Sequence, residues 1–254
     1  MTSMNPVAKP PVVAQPHNTA QQSNLHFNPV QLAGRALRKA GNQLLKYAGI
    51  SETWIDVGAH HGEKTLGEAM LNPGLTVYAF EPNLRVLASL LGRAANYCVI
   101  PMAVSEMDGH ADFYVNAHDE ASSLLRMDEN AISTWKGEEV LAVEAVETVP
   151  TIRLDTFMSL LRIPRVDFLK IDTQGADLAV IRSAGSRLRD IAKIMLEVEV
   201  TPKRIYQGSA SKEEVTTFMQ NSGFELVSSE AQSYGHEENL TFVRIGKAGR
   251  ELGG

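Results

Sequence analysis

Residues 53–62 constrain the possible folds of this chain more than any other stretch. Trp54, Ile55 and Val57 form a short apolar run typical of a buried strand, and glycines at positions 58 and 62 follow it. A helix is predicted to begin near Glu63. A strand, a glycine turn and a helix in this order make the nucleotide-binding corner of a doubly wound α/β sheet. There, backbone N–H groups at the start of the helix face the ligand.

The second predicted strand, residues 76–80, ends in Glu81 and Pro82. A carboxylate at this strand tip, roughly 20–25 residues after the first strand, is where the ribose hydroxyls of a nucleotide are held. Glu81 is therefore predicted to bind the ribose of a cofactor. The alternative, a turn with a capping acid and no ligand, does not account for the spacing of Glu81.

The residues of the turn indicate which cofactor binds. A dinucleotide fingerprint, G-x-G-x-x-G, needs a second glycine where this chain has His60, so a nicotinamide-dependent oxidoreductase is the disfavoured alternative. Asp56 would repel a pyrophosphate but suits a cationic ligand. The pattern D-x-G-x-x-x-G with a later ribose-binding Glu is typical of enzymes that use S-adenosylmethionine (SAM), which carries an ammonium and a sulfonium.

Composition excludes several classes of partner. A net charge of −6 argues against a nucleic-acid binder, which needs a basic face. The one cysteine, Cys98, cannot form an internal disulfide. No apolar run reaches the roughly 18–20 residues of a membrane span, and the N-terminus lacks the layout of a secretion signal. We therefore expect a cytoplasmic protein that does not contact membranes.

The chain divides into four predicted parts. Residues 1–27, rich in Pro, Gln and Asn, are predicted to be a disordered arm. Residues 28–50 have the three-to-four spacing of an amphipathic helix, capped by Asn28. This helix is predicted to pack on the edge of the main domain, although a substrate lid or a dimer contact is also open. The main domain spans residues 51–246, and residues 247–254 form a flexible tail.

Strands and helices alternate through the main domain, which predicts a mostly parallel sheet with helices on both faces. Residues 116–144 lack a sustained period, and a loop of this length is usually functional or mobile. The predicted helices cover 63–71, 84–94, a segment beginning at 155, 176–183 and 212–220. The further predicted strands cover 98–104, 111–115, 149–154, 166–172, 194–200, 225–227 and 240–245.

Two later strands carry charged residues among apolar ones. Asp172 ends the predicted strand at 166–172, at the sheet edge where ligands of open α/β sheets bind. Lys170 shares its strand face. Both residues are candidates for catalysis. The alternative is a buried ion pair between Lys170 and a carboxylate, such as Asp177, that ties sheet to helix.

Glu197 and Glu199 share one face of the strand at 194–200, where a central strand tolerates carboxylates only beside a cleft. Either residue could position a substrate or accept a proton, and a solvated strand end is the alternative. His60, His61 and His236 are scattered along the sequence, so no metal site is predicted.

Taken in order, these segments resemble the FkbM family of SAM-dependent methyltransferases. The resemblance covers about residues 51–245 and rests on 55–59, 79–82, 103–105 with Gly109, 113–114, 152–156, and 166–172 with 175–177. It implies a class I methyltransferase fold, a Rossmann-like doubly wound sheet of seven strands with the last antiparallel. It also implies methylation of a hydroxyl on a sugar, polyketide or related natural product. The chain departs from the family at His60, where Asn is usual, and at Gln174 and Asp177, where Glu is usual.

The turn and the resemblance together predict a SAM-dependent O-methyltransferase acting on a small hydroxylated acceptor. Asp172, Lys170 and Glu197 are its catalytic candidates, because a nearby base assists a hydroxyl nucleophile. A cofactor-binding partner of a biosynthetic complex, without turnover, is the alternative from another class. Neither the acceptor nor the oligomeric state follows from the sequence. The predicted cofactor-binding residues are Asp56, Gly58, Ala59, His60, Gly62, Glu81, Pro82, Ala103, Val104, Ser105 and Asp172.

Overall fold

A computed structural model describes residues 52–128 and 141–246. The predicted N-terminal arm, the amphipathic helix at 28–50 and the C-terminal tail lie outside the described residues. The strands are β1 (Glu52–Val57), β2 (Leu75–Phe80), β3 (Tyr97–Ile100), β4 (Ala103–Val104), β5 (Gly109–Asn116), β6 (Val143–Ile152), β7 (Val166–Ile171), β8 (Ile191–Glu199), β9 (Phe224–Gln232) and β10 (Glu237–Arg244). The α-helices are α1 (Leu66–Leu71), α2 (Leu84–Leu87), α3 (Leu154–Leu161), α4 (Asp177–Ser183) and α5 (Lys212–Asn221).

Seven strands form the main sheet, in the order β3-β2-β1-β7-β8-β10-β9. The first five strands in this order pair in parallel. The last strand, β10, lies antiparallel between β8 and β9. This order confirms the predicted class I methyltransferase fold.

Parallel pairing buries the central strands on both faces, which is why they read as nearly continuous apolar runs. All six residues of β2 are buried. One large core cluster packs against the sheet with Phe80, Phe157 and Leu169 among its members. The carboxyl ends of β1, β2, β7 and β8 therefore point to the same edge of a rigid layer.

The segment after β3 leaves the main sheet. The sequence predicts one strand over 98–104, but Pro101 has no N–H to donate and the strand ends at Ile100. Ala103 and Val104 then pair with β6 in a second, three-stranded sheet, β4-β6-β5. The predicted antiparallel excursion is correct, since β5 and β6 run antiparallel.

Two helices are shorter than the spacing predicts. The helix predicted from Glu63 begins at Leu66, because the chain first turns at Gly62, which has a φ of +80° and whose carbonyl accepts from the N–H groups of Thr65 and Leu66. The helix predicted over 84–94 ends at Leu87, and turns follow it to Gly92. No helix within the described ranges is long and apolar enough to cross a membrane.

Candidate active site

The carboxyl ends of the central strands open into a cavity of about 500 Å³. One half of it lies against the ends of β1 and β2, and includes Gly58, His60 and Glu81. The other half lies against the ends of β7 and β8 and includes Asp172 and Glu197. The sheet topology thus joins the two groups of residues that the sequence analysis predicted separately.

Gly58 makes the turn after β1 possible. Its φ of +72° favours glycine, and a Cβ there would lie 1.8 Å from the carbonyl oxygen of Asp172. The N–H groups of Gly58 and Ala59 both donate to the carbonyl of Phe80, at 3.1 and 3.0 Å. The ends of β1, β2 and β7 are therefore held together at this one turn.

Beneath the turn lies a buried ion pair between neighbouring strands. Lys170, 4% exposed, has its Nζ 3.2 Å from Asp56 Oδ1 and 3.6 Å from Asp172 Oδ2. It also donates to the carbonyl oxygen of Gly58 at 2.6 Å. Asp56, 1% exposed, accepts from the hydroxyl of Thr65 at 2.5 Å. The predicted buried pair exists, but Asp56 and Asp172 are its carboxylates rather than Asp177.

Burial and ion pairing shift the pKa values of Asp56 and Lys170 in opposite directions. Burial raises the pKa of Asp56, against the opposing effects of Lys170 and Thr65. Burial alone would lower the pKa of Lys170, but the charges of Asp56 and Asp172 outweigh it and raise that pKa above its ordinary value. Asp56 is absent from the cavity wall. It acts on the turn through Lys170 and Thr65, whereas the sequence analysis predicted it to contact the cofactor.

Glu81 is held rigidly on the cavity wall. Its Oε1 accepts from the Asn83 N–H at 2.8 Å and its Oε2 from the His60 N–H at 2.9 Å. Burial raises the pKa of this carboxyl, and the two backbone donors oppose that rise. Each oxygen keeps a lone pair for a further donor, so Glu81 can accept hydrogen bonds from ligand hydroxyls.

Some of the remaining predicted cofactor residues line the cavity wall, and others lie behind it. Gly62 packs behind the wall, where a Cβ would lie 2.8 Å from the Cβ of Leu66. The Ser105 N–H donates to the carbonyl of Ile152 in the second sheet. The predicted residues on the wall are Gly58, His60, Glu81, Pro82, Ala103, Val104 and Asp172, whereas Ala59, Gly62 and Ser105 do not line it.

The half of the cavity at β7 and β8 contains an amide that joins two carboxyl groups. Gln174 Nε2 lies 3.0 Å from Asp172 Oδ1 and 3.2 Å from Glu197 Oε2. Its Oε1 accepts from the Tyr206 hydroxyl at 2.8 Å. Gln174 has a φ of +55°, a conformation that is uncommon for a residue with a side chain and is concentrated at functional sites.

Burial and neighbouring charges raise the pKa values of carboxyl groups at this end of the sheet. Burial, followed by the charges of Asp172, Glu237 and Asp177, raises the pKa of Glu197 to about 9. Burial also raises the pKa of Glu199 to about 7, and Glu199 accepts from Ser209 and from the Ile205 N–H. The raised pKa favours the protonated form of Glu197, and Glu199 is a buried structural acceptor outside the cavity wall.

Several residues of this site could not be predicted from the sequence, because they come from segments far apart along the chain. Tyr206 follows β8, and Glu237 begins β10 opposite Glu199. His60, His61 and Asp119 also lie together, with their ligand atoms within 4.8 Å of one another. Gln174 was visible in the sequence as a departure from the family pattern, but its contacts with Glu197 and Tyr206 were not.

The site fits SAM. The cavity volume lies within the roughly 300–1,000 Å³ of small-molecule sites. Glu81 is fixed at the end of β2 with accepting capacity for ribose hydroxyls, and apolar residues, among them Met102 and Val104, line the wall beside it. Asp172 extends the wall as an anionic group next to the turn, which suits a cationic cofactor.

Comparison with known proteins identifies the same segment. A model of the methyltransferase FkbM domain matches residues 56–226. The 2-O-methyltransferase NoeI of Sinorhizobium fredii (strain NBRC 101917 / NGR234) is 24% identical over 182 residues, which cover 68% of this chain and 72% of NoeI.

Among solved structures, the magnesium protoporphyrin IX methyltransferase ChlM from Synechocystis PCC 6803, with bound SAM, is 12% identical. Its alignment covers 88% of this chain and 86% of ChlM, with a TM-score of 0.41. A chain of the fibrillarin/Nop5p complex is 13% identical over 84% of this chain and 83% of its own length, with a TM-score of 0.45.

Proposed function

Because the chain belongs to the FkbM family of SAM-dependent methyltransferases, we propose that it methylates a hydroxyl oxygen of a small acceptor such as a sugar. The observation that carries this proposal is the continuous cavity from Glu81 to the Asp172–Glu197 pair. The name of NoeI, a 2-O-methyltransferase, supports an oxygen acceptor. The carboxyl and amide groups around Gln174 are suited to hydrogen-bonding a molecule rich in hydroxyls.

In this proposal the β1–β2 half of the cavity holds the cofactor. Glu81 accepts hydrogen bonds from the ribose hydroxyls, and Gly58 brings the backbone close to the ligand. When bound, SAM supplies a methyl group on a sulfonium, whose sulfur–carbon bond breaks as the oxygen–carbon bond forms. The protein must then orient the acceptor oxygen, and such positioning can contribute about 7–11 kcal/mol.

The β7–β8 half removes the proton of the acceptor hydroxyl. The raised pKa of Glu197, about 9, favours its protonated form, so it is better suited to donate a hydrogen bond than to accept a proton. Asp172, with a side chain 37% exposed, is the carboxylate placed to take the proton and pass it to water. Lys170 holds Asp172 and the Gly58 turn in place, and is a positioning residue.

The test is the formation of S-adenosylhomocysteine from SAM with a panel of hydroxylated acceptors, beginning with simple sugars and oligosaccharides. With an accepted substrate, Asp172→Asn should lower turnover by about 100-fold or more, because a general base contributes about 10²–10⁴-fold. Its SAM affinity should change only a few-fold. Glu197→Gln should lower turnover less, because the replaced group is already neutral.

Asp112→Asn is the matched control, the same change at an exposed carboxylate of β5. If Asp172→Asn turns over at the wild-type rate, the base lies elsewhere, at Glu197 or His236. Binding of SAM without turnover on any acceptor would favour the non-catalytic partner of a biosynthetic complex. A titration with NADH tests the oxidoreductase alternative, for which we expect no saturable binding.

A further inference from the structure

Two histidines and a carboxylate converge at the rim of the cavity. His60 Nε2 lies 3.2 Å from Asp119 Oδ1, and His61 Nε2 lies 3.9 Å from Asp119 Oδ2. The three ligand atoms all lie within 4.8 Å of one another. The histidines belong to the turn after β1, whereas Asp119 begins a short 3-10 turn after β5.

Both imidazole rings are oriented by a second partner on the far side. His60 Nδ1 lies 2.9 Å from Glu63 Oε1, and His61 Nδ1 lies 2.9 Å from the Ser89 hydroxyl oxygen. A ring nitrogen bonded to a carboxylate or hydroxyl leaves the other nitrogen free to ligate, which is the usual arrangement around protein-bound metals. Both Nε2 atoms face Asp119.

One of these nitrogens contacts Asp119 without forming a well-aligned hydrogen bond. His60 Nε2 is buried and, among the described residues, has no partner in hydrogen-bonding geometry, although Asp119 Oδ1 lies 3.2 Å away. A buried polar atom without a hydrogen bond is costly and calls for an explanation. A cation between the three side chains would satisfy it.

We propose that His60, His61 and Asp119 bind a divalent transition cation of the Zn²⁺ class. Two imidazole nitrogens and one carboxylate oxygen suit Zn²⁺ and its neighbours, and do not suit Mg²⁺ or Ca²⁺, which prefer oxygen ligands. Metal–ligand bonds of about 2.0–2.1 Å in a tetrahedron separate the ligand atoms by roughly 3.3 Å. His60 Nε2 lies 3.2 Å from Asp119 Oδ1, close to that edge, and His61 Nε2 lies 3.9 Å from the other oxygen of the same carboxylate.

The position of the site suggests what the cation does. His60 and Asp119 line the cavity, and the His60 N–H donates to Glu81. A cation bound there ties the turn after β1 to the segment at 119–121, and so fixes one wall of the cavity. Three protein ligands leave one coordination position open, as in sites that exchange a water.

The test uses the full chain, stripped of metal with a chelator and titrated with Zn²⁺ by calorimetry, without SAM or acceptor. We expect one equivalent to bind with a dissociation constant of about 10 µM or lower. Co²⁺, added as a spectroscopic probe, should show the visible absorption of a tetrahedral site. His61→Ala should weaken Zn²⁺ binding by at least about tenfold, and Glu63→Gln, which removes only an orienting partner, by about 10–100-fold.

His110→Ala is the matched control, because His110 is exposed on β5 and belongs to no such cluster. It should bind Zn²⁺ as the wild type does. His61 is also exposed, so its replacement should not disturb folding, and thermal denaturation of the variant checks this. Asp119→Asn gives a second variant on the opposite segment.

Absence of saturable Zn²⁺ binding, or equal binding by His61→Ala and the wild type, would overturn the proposal. The cluster would then be held only by direct contacts of the two imidazoles with Asp119. Zn²⁺ binding and the proposed methylation are tested independently, because the calorimetry uses neither cofactor nor acceptor. A chain that methylates without binding Zn²⁺ overturns only the metal site.

Discussion

Replacing Lys170 with Met should destabilise the protein strongly, because it leaves a buried carboxylate without its counter-charge. Lys170 is 4% exposed and Asp56 1% exposed, so water cannot replace the lost ammonium. Breaking a buried ion pair from one side typically costs about 3–5 kcal/mol of unfolding free energy. The variant also loses the hydrogen bond from Nζ to the carbonyl of Gly58. Asp172, which is more exposed, is partly solvated instead.

The loss of unfolding free energy in Lys170→Met should increase with pH, because the stranded carboxyl group is that of Asp56. Burial raises the pKa of Asp56 even with Lys170 present, and removing Lys170 raises that pKa further. A carboxyl with a raised folded-state pKa contributes stability that is fully present below its unfolded pKa and is lost as pH rises through the folded pKa. Both proteins lose stability together up to the folded-state pKa of Asp56 in the wild type, so the difference between them should grow only above that pKa, by up to about 1.4 kcal/mol per pH unit.

Urea denaturation at about pH 5 and about pH 7 measures this difference. The control is Lys193→Met, which removes an exposed lysine of the neighbouring strand β8 and should cost about 1 kcal/mol or less. Adding Asp56→Asn to Lys170→Met should recover much of the loss, since no buried charge then remains. A cost below about 1 kcal/mol, the same at both pH values, would refute the reasoning.

Two further predictions concern single carboxyl groups. Glu81→Ala should weaken binding of S-adenosylhomocysteine by about 1–3 kcal/mol in calorimetry, because charged hydrogen bonds are lost. The control is Glu68→Ala, at an exposed site on α1. Equal affinity of the two variants would contradict the assignment of Glu81 to the cofactor site. The unfolding free energy of Glu197→Gln should rise progressively above that of the wild type as pH increases from about 5 to 9, because the folded wild type binds a proton at Glu197, whose pKa is raised to about 9. Unfolding free energies that stay parallel across that range would show that Glu197 is not protonated in the folded protein.

Local patterns in the sequence predicted most of the main sheet. The apolar runs of β1, β2 and β7 identify buried parallel strands, and the position of Glu81 follows from chain spacing alone. The boundaries were less accurate. The predicted strand at 98–104 divides between two sheets at Pro101, and the turn at Gly62 delays the start of α1.

The composition of the site was harder to predict, because its contacts join segments far apart in sequence. The pairing of His60 with Asp119 spans the whole of β2 to β5, and no local pattern indicates it. Likewise, Gln174 meets Tyr206 only because the loop after β8 folds back over the end of β7. For Asp56, the position at the end of a strand suggested contact with a ligand. In the structure its side chain is buried and pairs with Lys170.

The charge balance of the β7–β8 half bears on the kind of acceptor it can take. Asp172, Glu197 and Glu237 all line it, and burial with mutual repulsion raises the pKa of both glutamates. The ammonium of Lys170 is engaged by Asp56 and the carbonyl of Gly58. An anionic group entering this half would meet carboxyl groups already short of counter-charge. A neutral molecule with several hydroxyls would instead find donors and acceptors on Gln174 and Glu197. Under the proposed function we therefore expect a neutral polyhydroxylated acceptor to be methylated in preference to a phosphorylated or carboxylated one.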